Sequence, residues 1–200
     1  MPNQCSNTLK IIGPTKDVEQ FVTFVKNNGD DKDNNPYELF SNLIPMPKEL
    51  EGTTSPSKNS NVDLIDKYGH DNWYDWCNAK WGTKWGDYNI HSNGIIHLKE
   101  FEYPILENGE NDYDNSIVKL SGESKVDFMY DTAWAPGCEE LAEAIIKVFP
   151  TIRGIISYEE PGMAFAGQLI FHEGEIKVHD QWEYHHTYQD VEDIDFDYYI

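Results

Sequence analysis

Two stretches of the chain carry an apolar stripe at helical spacing, and they lie far apart. Val18, Phe21, Val22 and Val25 form the first; Leu141, Ala142, Ile145, Ile146 and Phe149 form the second. The first follows a short β-branched run at 8–13 that closes on Gly13 and Pro14, with Thr15 available as a cap and Asn27, Asn28 and Gly29 as a stop. The second runs over 138–149, carries Glu139 and Glu140 in its first turn where the helix dipole favours them, and ends at Pro150. Each stripe must be buried against something, and one sheet under both helices is the simplest solution.

The rest of the chain supplies that sheet. Residues 37–44 read as a strand stopped by Pro45 and Pro47. Further strands are expected at 85–92, 95–103, 116–120 and 125–132. Asn93 with Gly94, an acidic loop at 107–115, and Ser121 with Gly122 separate them as hairpin turns. Three more fall at 153–158, 163–172 and 175–183, the last two joined at Glu173 and Gly174. Between them, 49–61 is a polar turn-forming loop, and 72–80 is a short helix capped by Asp71 or Asn72. Trp73, Cys77 and Trp81 share one side of that helix, with Trp76 partly off it and Gly82 as the stop.

The resulting expectation is an α+β fold: a ferredoxin-like βαββαβ sandwich, an antiparallel sheet with two main helices on one face, enlarged by an inserted Trp-rich short helix and extra hairpins. One domain spans 1–186, with insertions at 45–86 (loop and Trp-rich helix) and 99–120 (acidic hairpin). An acidic aromatic tail follows at 187–200.

Charge narrows the partners. Fifteen Lys and Arg against 36 Asp and Glu leave a net charge of −21, which argues strongly against phosphate-backbone binding and against an anionic membrane surface. Disorder is countered by six Trp, twelve Tyr and nine Phe, which supply large groups to bury. No run approaches the ~18 apolar residues of a membrane helix, and the first residues have no apolar stretch like that of a secretory signal. Cys5, Cys77 and Cys138 are an odd, widely spaced set that suggests neither a disulfide framework nor a zinc knuckle, so a reducing cytosol is expected. Much of the negative charge falls in two places. Glu107, Glu110, Asp112 and Asp114 crowd the expected acidic hairpin, and Asp190, Glu192, Asp193, Asp195 and Asp197 crowd the tail.

The densest chemical feature is Trp73, Tyr74, Trp76, Trp81 and Trp85 with Lys84 among them, to which Trp134 adds a sixth ring. Such a group can stack a planar ligand or anchor a protein interface, and it can equally clamp the inserted helix onto the sheet. Glu159 and Glu160 are paired carboxylates, but strand alternation sends neighbours to opposite faces, against a shared acid–base site. His172, His179, His185 and His186 lack a compact zinc spacing and read as solvent-facing. Cys138 stands at a helix start with no histidine adjacent in sequence to serve as its base. No GxSxG, Walker, GxGxxG or HExxH pattern occurs, and neither a metal nor a cofactor is expected.

Several short segments occur in a telling order. They are Met1, Pro2 and Asn3 with Cys5, Ser6 and Asn7; Ile44, Pro45, Met46 and Pro47 with Glu49 and Leu50; and Tyr68 and Gly69 with Asn72, Trp73, Tyr74, Asp75 and Trp76. Next come Trp81, Gly82, Thr83, Lys84 and Trp85; Asp131, Thr132, Ala133 and Trp134 with Pro136; and Tyr158, Glu159, Glu160, Pro161 and Gly162 with Phe165 and Gly167. In these the chain resembles phage- and plasmid-encoded proteins with the YubB-type ferredoxin-like domain, a family of unassigned activity. Gln4, Gly137 and a lengthened stretch between Trp85 and Phe128 depart from that pattern. The resemblance implies the fold, a mobile-element origin and a bacterial cytoplasmic setting.

The expected function is therefore that of a non-enzymatic, acidic phage or plasmid accessory protein. It would bind a host protein, such as a basic nucleic-acid-handling defence component, as a counter-defence inhibitor or DNA mimic. The alternative is a binder or sequesterer of a small nucleotide in a Trp-rich pocket, without direct binding of nucleic acid.

Overall fold

Strand β1 (Gln4–Pro14) alternates strictly, with Cys5, Asn7, Leu9 and Ile11 buried and their neighbours facing outward. The computed structural model describes residues 3–29, 34–57, 60–106, 110–111 and 116–184. Helix α1 (Thr15–Phe24) follows β1 directly, buries Val18 and Phe21, and packs on β1 and on β4 (Ile117–Ala133). Pro14, not Thr15, occupies its N-cap. The Thr15 hydroxyl instead donates to the Gly122 carbonyl at 3.0 Å and meets Ser124 at 2.9 Å, tying the helix to β4.

The expected strand at 37–44 is a helix, α2 (Leu39–Leu43), with Tyr37 joined to Lys26 only by an isolated bridge. Its orphan N–H groups are met from far along the chain by Asp87, a partner that local pattern does not reveal. A 3-10 turn (Lys48–Leu50) and helix α3 (Val62–Tyr68) break up the loop region. The Asn61 side chain accepts from Leu64 N–H, and Gly69 at φ 80° closes α3. Helix α4 (Trp73–Lys80) lies where expected, with Asn72 accepting from Asp75 N–H at 2.9 Å. Its buried side is Trp76 and Cys77, continued by Trp81, while Trp73 is half-buried.

Strands β2 (Tyr88–Ser92) and β3 (Ile96–Glu102) do not pair with each other: both pair with β4, one after the other along the same edge. At 17 residues β4 is long enough, about 55 Å, to carry both. Asn93 spans the gap by donating to the Asp127 carboxylate at 2.8 Å and accepting from Asp127 N–H at 3.1 Å. The expected turn at Ser121 and Gly122 is a bulge inside β4. Register slips there from His97 opposite Ser124 to Lys99 opposite Leu120, and Gly122 takes up the irregularity at φ 83°.

Helix α5 (Cys138–Val148) starts at a left-handed Gly137 and buries Leu141, Ala142 and Ile145. Strands β5 (Arg153–Glu160), β6 (Phe165–His172) and β7 (Glu175–Glu183) complete a mixed α+β fold around a seven-stranded antiparallel sheet. Its order is β2-β4-β1-β5-β6-β7, with β3 paired to β4 beside β2. Glu173 and Gly174, at φ 53° and 77°, make the β6–β7 turn. The core joins Leu9, Phe21, Phe128, Leu141, Ile145, Ile156, Leu169 and Phe171, and Phe21 meets Phe128 and Phe149 edge-on at 5.9 and 5.4 Å. Among the described residues, no helix is long and apolar enough to cross a membrane.

Candidate functional site

Beyond the core, β3 and the first part of β4 run out as a two-stranded ribbon. Among the described residues between 96 and 123, none is buried, and β3 has no strand partner but β4. The pairing continues through a bridge between Ile105 and Asn111 and a bond from Leu106 N–H to the Glu110 carbonyl at 2.8 Å. Among the described residues, six of the twelve large apolar side chains that stand exposed are on this ribbon: Ile96, Ile105, Leu106, Ile117, Val118 and Leu120. Val118 and Leu120, 51% and 68% exposed, share one face, while Ile117 lies on the other beside the ion pair of Lys119 and Glu102. Scattered single exposed apolar groups need no explanation; half of them on one edge ribbon does.

The aromatic residues divide into two groups. Trp76 and Trp81 are core residues, 5% and 6% exposed, packed edge-on at 5.5 Å, and the Trp81 indole N–H donates to the Ile44 carbonyl at 2.8 Å. They hold α4 and α2 together and offer no stacking surface. Lys84, by contrast, sits half-buried among the others, with its Nζ 4.6 Å from the ring of Trp85, 4.7 Å from that of Trp134 and 6.0 Å from that of Tyr74. The segment is pinned by the buried Thr83 hydroxyl, which donates to the Ala133 carbonyl at 2.8 Å. Trp134 lies at φ 70° and its N–H donates to the Asn3 carbonyl at 3.0 Å. For a bulky side chain that left-handed backbone costs about 1–2 kcal/mol. Trp73 packs on Tyr74 at 5.7 Å, at the margin of the group.

A third cluster escapes sequence reasoning altogether. Strand β7 brings His179 against the start of α5, where its Nε2 lies 3.5 Å from Cys138 Sγ and 3.0 Å from the Tyr158 hydroxyl. Its Nδ1 lies 2.8 Å from a Glu139 carboxylate oxygen, which holds Nε2 toward both Cys138 and Tyr158. His179 is thus the histidine neighbour that Cys138 lacks in sequence; it stands exposed, as expected, while also touching α5 and β5.

The order of nucleophile, base and carboxylate looks catalytic, but the electrostatics oppose it. Burial, with Glu139 and Glu140 adding to it, pushes the Cys138 thiol up to about 12. That disfavours the thiolate a nucleophile needs, and Cys138 is only 3% exposed. The cluster is a polar clasp between β7, α5 and β5.

Glu159 and Glu160 part as expected: Glu159 is exposed, while Glu160 is buried and accepts from Met163 N–H at the β5–β6 turn. Glu110 is exposed near the tip of the ribbon. Glu107, Asp112, Asp114, Asp190, Glu192, Asp193, Asp195 and Asp197, and the histidines His185 and His186, lie outside the described residues. No group of three or more His, Cys, Asp or Glu among the described residues could hold a metal ion.

The ribbon's far end, β4, α5 and the three following strands fall in a stretch with a recognisable relative. Residues 106–197 match the family model of the ferredoxin-like domain in Api92-like protein. The match begins at the tip of the ribbon and runs into the acidic segment beyond residue 187. A crystal structure of the protein Api92 from Yersinia pseudotuberculosis is 14% identical, covering 94% of this chain and 99% of that one at a TM-score of 0.47. No curated protein matches the chain.

Proposed function

We propose that this protein is a non-enzymatic binding module whose β3–β4 ribbon engages a protein partner of basic, partly apolar surface. The observation that carries the reading is the concentration of exposed apolar side chains on that ribbon. An isolated two-stranded ribbon is marginal in water, so a ribbon that buries none of its described residues gains most from a surface to lie on. Its sequence supports the sign of that surface: between 99 and 120 there are six acids against Lys99 and Lys119. Apolar contact supplies affinity, and the charge steers encounter and rejects acidic partners. Exposed acids such as Glu100, Glu102 and Glu110 also guard an edge strand against pairing with its own copies.

Within this proposal the protein is an accessory product of a phage or plasmid that acts in the bacterial cytoplasm on a host defence component. DNA mimicry is one form of that action. The resemblance to the YubB-type family supports the setting, and the −21 charge supports a nucleic-acid-handling target. The scaffold serves as a βαββαβ core made of β1, α1, β2, β4, α5 and β5, with both long helices on one face; the strand order β2-β4-β1-β5 supports this reading. On it, β6–β7 and the ribbon are additions.

The test is capture from extract of the natural host by the full chain and by a Val118→Ser/Leu120→Ser variant. Both residues are solvent-exposed, so the variant keeps its circular dichroism and melting behaviour. It is expected to lose the proteins the full chain retains, and that retention is expected to weaken as salt rises. Capture of the same proteins by both, at all salt concentrations, contradicts the proposal.

A further inference from the structure

We propose that Lys84 and the aromatic rings around it form a binding site for a small planar anion, a ring carrying one phosphate or carboxylate, of the kind a nucleoside monophosphate presents. Lys67, Lys119 and Lys177 each turn to a carboxylate. Lys84 forms no salt bridge with any described residue. Its ammonium is held instead 4.6 and 4.7 Å from two indole rings and 6.0 Å from a phenol. Rings fix the position of a cation without using its N–H donors, which keeps three donors for an anion. They also hold the long side chain in place before the ligand arrives, so little side-chain freedom is lost on binding.

The backbone supports the same reading. Trp134 adopts a left-handed conformation, φ 70°, that a bulky residue avoids, at the point where the chain leaves β4 and its indole meets Lys84. Strain of this kind persists where the surrounding structure imposes it, and it gathers at ligand sites. The buried Thr83 hydroxyl fixes the other side of the group against Ala133. Trp85, Trp134, Tyr74 and Trp73 are all half-buried, leaving part of each ring to stack a flat ligand. A single cation among so many acids suits a small ligand and not a polyanion, whose binding needs many phosphate contacts. The site is narrower than the stacking group expected from sequence, because Trp76 and Trp81 are core. It is independent of the ribbon, so either proposal can fail alone.

The test is titration of the full chain, followed by tryptophan fluorescence and calorimetry, with AMP, GMP, CMP, UMP, benzoate, adenosine and inorganic phosphate as separate probes. At least one planar anion is expected to bind saturably, ten-fold or more tightly than both adenosine and phosphate. Phosphate-bearing and carboxylate-bearing probes distinguish the two ligand classes. Lys84→Met is expected to remove that ten-fold preference while Lys84→Arg keeps most of it. Melting curves establish that both variants are folded; if Lys84→Met is not, loss of the preference in Lys84→Gln takes its place. Equal binding of the planar anions and adenosine, equal binding of phosphate alone, no binding by any planar anion, or an unchanged preference in folded Lys84→Met overturns the proposal.

Discussion

Asp87 caps a helix that begins far upstream of it: its carboxylate accepts from Leu39 N–H at 3.0 Å and from Phe40 N–H at 2.9 Å. The same carboxylate is buried deeply enough that its pKa is pushed up to about 6, with the two backbone donors pulling the other way. Burial wins because taking a charge out of water outweighs two neutral donors.

This sets a pH dependence with a definite sign. A carboxyl whose pKa is higher folded than unfolded binds more protons in the folded state, so stability falls as pH rises from about 4 to about 6 and is level beyond. The amount is of order 2–3 kcal/mol. Asp87→Asn keeps an acceptor for the helix and has no charge to bury. In urea unfolding its stability is expected to gain on the native chain between pH 4 and 6.5; Asp87→Ala, which also has no charge to bury, follows the same pH trend but stays about 1–2 kcal/mol below Asp87→Asn at every pH for want of the cap. A stability difference between Asp87→Asn and the native chain that does not move with pH would refute this origin.

The cysteines are expected to be inert while the chain is folded. Burial pushes Cys5 and Cys138 up to about 12 and Cys77 up to about 11. A thiol-disulfide reagent at pH 7.5 should therefore label all three only as fast as the protein unfolds. Rapid labelling of Cys138 in native protein, located by mass spectrometry, would restore the nucleophile reading for its contact with His179. His179→Ala is expected to cost about 1–2 kcal/mol, because Tyr158 and Glu139 lose the group that ties β7 to them.

Gly154, in β5, has no room for a side chain. A side chain there would press on the Lys10 carbonyl and on the Phe171 ring, which lies 2.8 Å from where the added carbon would sit. Neither can withdraw, since one is backbone in β1 and the other is core. Gly154→Ala is expected to destabilise by roughly 1–3 kcal/mol in denaturant unfolding, as overpacking does. A change below ~0.5 kcal/mol would show that the sheet relaxes around it.

The parts of this fold that could be read from sequence are those whose cause is local. The stripe of Leu141, Ala142 and Ile145 lies inside one helix, Asn72 caps the helix it precedes, and Glu173 with Gly174 makes its own turn. The missed parts have distant causes. Residues 39–43 are helical because of Asp87, and β2 and β3 lie end to end because Asn93 is held by Asp127 across the sheet edge. The sites divide likewise. The Trp-rich segment was visible as composition, but which indoles are core depends on α2, and the Lys84 group is completed by Trp134 from the end of β4. The pairing of Cys138 with His179 exists only once β7 lies beside α5.

Amide hydrogen exchange on the ribbon, with and without the captured host protein, tests the binding reading most directly. Free, the amides of Ile96–Glu102 and of 117–120 should exchange quickly, since they belong to a two-stranded extension outside the core. In the complex they are expected to slow by ten-fold or more while the core strands β1 and β5 stay unchanged. Protection confined to other surfaces, with the ribbon exchanging as fast as in the free protein, would contradict the proposal that the ribbon is what the partner holds.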